Sequence, residues 1–298
     1  MILSASYRTD IPAYYGRWLL GRLSAGSVMV ANPYGGKPAR LGLGRDAVDG
    51  IVFWTKNPIP FEAGFEAVAA LGHPFVIQLG INAYPRALER SVPDPDAAIG
   101  CASRLAARFS PRAIVWRYDP IVISSLTPPD WHTANFARLA RALRGTTDEV
   151  VTSFVQPYRK TARNLGAALR AANATWRHPD AAEKRAILDR LHPIAGENGM
   201  RLTLCTQPDL AGGKTPPARC IDAERLSDVA GRAIGAPERG NRPGCLCHAS
   251  RDIGAYDSCP QGCAYCYAVE SQAKARLALG HHDPAAAFLI PPDRSASC

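Results

Sequence analysis

The sequence predicts an α/β fold: a complete or partial (βα) barrel of about six or seven βα units, followed by a cysteine-rich, cluster-binding C-terminal segment. Three observations predict it. Short β-branched or apolar runs alternate with longer amphipathic stretches through the first two-thirds of the chain, and such alternation implies parallel strands joined by right-handed helical crossovers. Several of the short runs end in polar residues unsuited to a core, as strands do at the mouth of a barrel. A chain of 298 residues, 47% of them apolar, also suffices to bury one full core.

Taken in order, Ile2–Ser6 reads as the first strand and runs into Arg8, Thr9 and Asp10, with a helix expected over Ala13–Leu23. Ser27–Ala31 reads as the next strand, whereas Asn32–Arg45, rich in Gly and Pro, shows no helical periodicity. Gly50–Trp54 runs into Thr55, Lys56 and Asn57 and precedes a helix over Phe61–Leu71; Phe75–Ile81 pairs in the same way with Asp96–Arg108. Ala113–Tyr118 ends at Arg117, Tyr118 and Asp119 before a helix over Trp131–Leu143. Glu149–Val155 precedes helices over Lys160–Ala171 and Ala181–Glu197, and Arg201–Cys205 closes the array. Beyond it lie a loop over Pro208–Arg219, a short helix within Ile221–Ile234, a Gly/Pro/Arg-rich stretch over Gly235–Gly244 and a helix from Tyr267 to about Leu279. The expected division is a barrel-like domain over 1–206, an iron–sulfur segment over 207–279 packing on the barrel mouth, and a tail over 280–298.

A formal charge of +9 favours anionic partners: a nucleotide, a nucleic acid or a phosphorylated metabolite. Surface arginines alone would give the same charge, and no linear aromatic–basic array is present, so nucleic acid stays open. The first twenty residues lack an apolar leader core, and no stretch reaches the ~18 apolar residues of a membrane span. The expectation is a cytoplasmic chain without membrane contact. In that compartment nine cysteines point to metal binding in preference to disulfides. The strand-end groups Arg8, Lys56, Arg117 and Asp119 read either as ion pairs closing the rim or as catalytic contacts to cofactor and substrate.

Cys259, Cys263 and Cys266 are spaced C-x3-C-x2-C. Three thiolates on one loop can ligate three irons of a [4Fe–4S] cubane and leave the fourth open to chelate a small molecule, with Gly262 freeing the backbone where it wraps the cluster. Zinc sites favour four ligands in paired knuckles. Cys205, Cys220, Cys245 and Cys247 lie on three flexible segments, and a second cluster or a structural zinc would suit them; the plainer alternative makes Cys205 and Cys220 small core residues.

The triplet, with aromatic Tyr265 before its third cysteine, resembles the signature of the radical S-adenosylmethionine (radical SAM) superfamily. The run Cys245-x-Cys247, Ser250-Arg-Asp-Ile-Gly-Ala-Tyr-Asp-Ser-Cys259 and Gly262-Cys263-Ala-Tyr-Cys266-Tyr-Ala is similar to the C-terminal blocks of the DUF1848 family, as are Ser6-Tyr-Arg8-Thr-Asp10-Ile-Pro, Phe53-Trp-Thr-Lys56-Asn57-Pro and Trp116-Arg117-Tyr-Asp119-Pro. The resemblance implies S-adenosylmethionine as cofactor, Tyr265 beside its adenine, and an external electron donor such as flavodoxin or ferredoxin. It also implies a permuted arrangement, with the cysteine loop folding back onto the N-terminal array and the glycine turn for the methionine amino group lying upstream, for which Tyr34-Gly35-Gly36-Lys37 is the candidate. The expected function is reductive cleavage of S-adenosylmethionine to modify an anionic nucleotide, nucleic acid or natural product. Two rivals stay open: a zinc or iron–sulfur nucleic-acid-binding module without radical chemistry, and a barrel hydrolase with structural cysteines.

Overall fold

The computed structural model describes residues 1–32, 35–210 and 214–292. In chain order its elements are β1 (Ile2–Ala5), α1 (Ile11–Tyr14), α2 (Gly16–Ser24), β2 (Ser27–Val30), β3 (Ala39–Gly42), β4 (Gly50–Thr55), α3 (Glu62–Ala70), β5 (Phe75–Gly80), α4 (Pro95–Arg108), β6 (Ile114–Ile121), β7 (Ile123–Ser124), α5 (Pro129–Ala142), β8 (Glu149–Phe154), α6 (Arg159–Ala171), β9 (Trp176–Arg177), α7 (Ala181–Glu197), β10 (Arg201–Leu204), α8 (Ala223–Ala230), β11 (Ser250–Asp252) and α9 (Gln272–Gly280).

Seven of the strands form a parallel sheet in the order β10-β8-β6-β5-β4-β1-β11. Six of them step across the sheet in chain order, as repeated right-handed βαβ crossovers require. The seventh, β11, arrives from the C-terminal segment and lies outside β1, with Ile2 opposite Ser250 and Ser4 opposite Asp252. β5 and β8 are buried at every position, the pattern of parallel strands covered on both faces. Alternation separates the two faces. Leu3, Phe53, Ile77, Trp116, Val150 and Leu202 pack into the large core beneath the helices. Ile2, Val52, Val76, Val115 and Val151 pack instead against Cys205, Cys220, Ile221, Leu226 and Cys247. The C-terminal segment therefore covers the second face, and the mixed α/β arrangement read from the sequence holds.

Ser27–Ala31 departs from that reading. β2 pairs antiparallel with β3 in a separate hairpin, because no helix follows it to supply the crossover that a parallel neighbour needs. The chain beyond α9 packs back on this region: Met29 N donates to Ala287 O at 3.0 Å and Trp18 Nε1 to Ala286 O at 3.0 Å. The helix expected over Ala13–Leu23 is broken at Tyr15, which separates α1 from α2.

Helix ends follow local chemistry. Asp94 caps α4 through Asp96 N, with Pro95 at the first helical position, and Asp180 caps α7 through Glu183 N. On α5, fully buried His132 accepts from Tyr118 Oη at Nδ1 (2.8 Å) and donates from Nε2 to Val122 O (3.0 Å). Burial pushes its pKa down to about 4. The native state therefore resists a proton that the unfolded chain accepts below its ordinary value, so stability falls as pH drops from about 6.5 towards 4, by roughly 3 kcal/mol in total. Urea unfolding at pH 7 and pH 4.5 measures this loss, and His132→Gln should flatten that part of the profile.

Candidate thiol centres at the carboxyl ends of the sheet

The route into the cysteine loop is fixed by β11. Asp252, buried at its end, accepts from Ser4 Oγ (2.8 Å), Ser6 Oγ (2.6 Å), Gly254 N (3.0 Å) and Arg8 Nε and Nη2 (3.0 and 2.9 Å). Arg8 is thereby paired on the strand that leads to the cysteines. Gly254 follows where a Cβ would lie 2.1 Å from Ser6 Oγ, so only glycine lets the backbone pass. Tyr15 Oη and Thr9 Oγ1 then hold Ser258 at 2.6 Å each.

The loop itself docks on the long β5–α4 connection: Ser91 N donates to Gln261 O, Arg90 N to Gly262 O and Ala264 N to Leu88 O, at 3.1, 3.3 and 2.9 Å. Gly262 has φ +80° and its missing Cβ would meet Arg90 Cβ at 2.9 Å, which accounts for glycine there on both counts. Cys259, Cys263 and Cys266 are thus carried over the carboxyl ends of β1 and β5 and lie within electrostatic reach of one another. Burial pushes the Cys259 thiol up to about 12, Cys266 upward and Cys263 well above its ordinary value. Deprotonating all three therefore calls for cationic charge beside them.

One such charge is Lys56. Its backbone N is held by Asp10 Oδ2 at 2.8 Å, and its ammonium lies 2.8 Å from Glu89 Oε1 with side chains only 16% and 2% exposed. Burial alone would lower its pKa, but Glu89 and Cys263 outweigh that and raise it. Glu89 also accepts from Tyr265 Oη, and Asn82 Nδ2 reaches the same hydroxyl at 3.2 Å. Lys56, Gly80, Asn82, Tyr84, Arg86 and Glu89 line part of a cavity of about 210 Å³ beside the loop. Glu89 and Asn82 escape sequence reasoning: they lie in the unassigned stretch between the expected strand Phe75–Ile81 and the expected helix Asp96–Arg108, and nothing local marks the carboxylate as buried.

Arg117 and Asp119, on the face of β6 that the C-terminal segment covers, form an ion pair. Arg117 also donates to Gln78 Oε1 (3.1 Å) and Cys220 Sγ (3.0 Å) and lies over the Trp54 ring, while Ser153 Oγ donates to Asp119. The four other clustered cysteines run as a line of contacts. Cys220 Sγ is 3.5 Å from Cys205 Sγ, and hydrogen bonds join Cys220 to Cys247 and Cys247 to Cys245. The eight described cysteines are free thiols. Among the described residues no three His, Cys, Asp or Glu side chains converge on one ion position. Gly35 and Gly36 sit exposed in the β2–β3 connection, with no described contact to the loop; Tyr34 lies outside the described residues.

The family model described as Domain of unknown function (DUF1848) matches residues 2–268. The chain belongs to the DUF1848 family. No curated protein matches it. The DUF1848 match takes in the whole parallel sheet, both thiol groups and Tyr265, and stops before α9. Among the described residues of this DUF1848 protein no helix is long and apolar enough to cross a membrane.

Proposed function

We propose that this protein is a radical SAM enzyme whose cluster is held by Cys259, Cys263 and Cys266 and whose substrate is anionic. The observation that carries the reading is the gathering of three partly buried thiols from one loop at the carboxyl ends of parallel strands, beside the buried ammonium of Lys56. The donor set suits a cubane, which gives each thiolate its own iron and so asks for wider spacing than a single ion does. β11 supports the permuted, open-barrel arrangement: the cysteine loop of the superfamily follows the first barrel strand, and here it follows a strand lying parallel beside β1.

When bound, the cluster and S-adenosylmethionine would supply a one-electron cleavage to methionine and a 5′-deoxyadenosyl radical. The chain's own residues bind and orient. Lys56, fixed by Asp10 and Glu89, offers its ammonium to the cofactor carboxylate. Tyr265, held by Glu89 and Asn82, walls the adenine side. Arg117 and Asp119, with Arg8 at the rim, define the polar face for ribose and substrate anions, and the C-terminal segment excludes water from the sheet's second face. Electrons come from an external donor of the flavodoxin or ferredoxin type.

The test is anaerobic reconstitution with iron and sulfide, followed by dithionite and S-adenosylmethionine. The expected products are 5′-deoxyadenosine and methionine. A protein carrying a verified cluster on the loop that yields neither would overturn the reading.

A further inference from the structure

The four cysteines outside the loop call for an account of their own, and it does not depend on the radical reading. Cys205, Cys220 and Cys247 are 7%, 3% and 5% exposed and come from the end of β10, the stretch before α8 and the stretch before β11. Segments far apart in sequence have placed four thiols in one line on the second face of the sheet. A thiol is a weak hydrogen-bond partner, yet these sulfurs collect strong donors: Arg117 Nη1 on Cys220 at 3.0 Å, Ile221 N on Cys247 at 3.3 Å, and Arg242 Nη2 near Cys205 at 3.9 Å. Cationic and backbone N–H donors aimed at sulfur are the surroundings of metal-bound thiolates, where they spread the excess negative charge of the ligands.

Spacing indicates the kind of centre. Zinc–sulfur bonds of about 2.3 Å in a tetrahedron put neighbouring sulfurs roughly 3.8 Å apart. Cys205 and Cys220 stand at 3.5 Å, close to that edge and too near for thiolates that each take a separate iron of a cubane. The sulfurs run in a line and not in a cage, and each cysteine has one side-chain torsion, so closing a tetrahedron around an ion calls for side-chain rotation along the line.

We propose that Cys205, Cys220, Cys245 and Cys247 bind a zinc ion that staples the C-terminal segment onto the second face of the sheet, with Arg117 and Arg242 offsetting part of its charge. Four thiolates around a divalent ion keep a net charge of −2, which Arg242 and Arg117, the latter shared with Asp119, offset in part. Closing these four ligands ties β10, the approach to α8 and the approach to β11 together, and so sets the path by which the chain reaches the cysteine loop.

The experiment uses full-length protein purified anaerobically and analysed for zinc, iron and sulfide. The triple variant Cys259→Ala/Cys263→Ala/Cys266→Ala is expected to retain roughly one zinc per chain, and Cys220→Ser/Cys247→Ser to lose it. Cobalt(II) exchanged into the triple variant should give the intense sulfur-to-metal absorption of tetrahedral thiolate ligation, a readout that does not require the second variant to fold. If the triple variant does not fold, Cys263→Ala alone serves in its place. Absence of metal from the folded variant, iron with sulfide in place of zinc, weakly coloured octahedral cobalt, or a Cys205–Cys220 disulfide in the native protein would each overturn the assignment. Loss of the loop's cluster chemistry leaves all of these readouts intact, so the two ideas fail separately.

Discussion

Cys263→Ala should reduce 5′-deoxyadenosine formation to background and prevent assembly of a cluster on the loop, while shifting the thermal midpoint by only a few degrees. The two halves of this expectation have different physical origins. Loss of one thiolate from a three-thiolate cubane leaves an iron without its protein ligand, and nothing near Cys263 replaces it, since the adjacent groups are the Lys56 ammonium and the Glu89 carboxylate already bonded to Lys56 and Tyr265. Stability, in contrast, loses only one small, partly buried side chain whose loop stays anchored through the backbone bonds of residues 261, 262 and 264 to the β5–α4 connection. Iron and sulfide analysis after reconstitution, with product detection and a melting curve, reads both halves. Turnover that persists in this variant without S-adenosylmethionine or reductant would favour the hydrolase alternative instead.

The largest expected effect on stability lies elsewhere, at Arg225 of α8. Its guanidinium, 2% exposed, bonds Glu149 Oε2 at 2.6 Å, Asp148 Oδ1 at 2.9 Å and the carbonyl of Arg112 at 2.8 Å. Glu149 is itself 5% exposed at the start of β8 and also receives Thr203 Oγ1 at 2.8 Å. Arg225→Met would leave that buried carboxylate with only the longer pairing to exposed Arg201 at 3.7 Å, at a cost of about 3–5 kcal/mol. For a chain of this size that lowers the melting temperature by roughly 6–12 °C. The double variant Arg225→Met/Glu149→Gln should recover most of the loss, because it removes the buried charge as well as its partner. Recovery in a urea or thermal melt separates an electrostatic cost from simple loss of packing.

The polar ends of strands proved the most legible feature of the sequence. Lys56 was readable as a group at the mouth because a strand core of Val, Ile, Phe and Trp stops abruptly before it, and the sheet carries it just past the end of β4; β6, in contrast, continues through Arg117 and Asp119 to Ile121 and holds both within the strand on its covered face. The same logic misplaced Ser27–Ala31, since an alternating run of four or five residues carries no record of whether its neighbour is parallel or antiparallel. β11 was invisible for the opposite reason. Ser250-Arg-Asp holds no apolar residue, and it becomes a strand through its backbone bonds to β1 and through Asp252, whose partners Ser4, Ser6 and Arg8 lie more than 240 residues away. Glu89 belongs with it: a buried carboxylate whose meaning resides in Lys56 and Tyr265 cannot be inferred from the residues beside it. The thiols were legible as a clustered set by type and spacing, but their order of contact, from Cys205 through Cys220 and Cys247 to Cys245, required three dimensions.

The late position of β11 has a consequence for biosynthesis. A ribosome releases β1 well before the partner on its outer side, Ser250–Asp252, which emerges only after almost 250 further residues. Until then β1 presents an unpaired edge, and a growing polypeptide has neither Asp252 to neutralise Arg8 nor the loop thiols in place. Chains that stop short of Ser250 therefore leave this edge of the sheet open, and it is sealed only once β11 has been made.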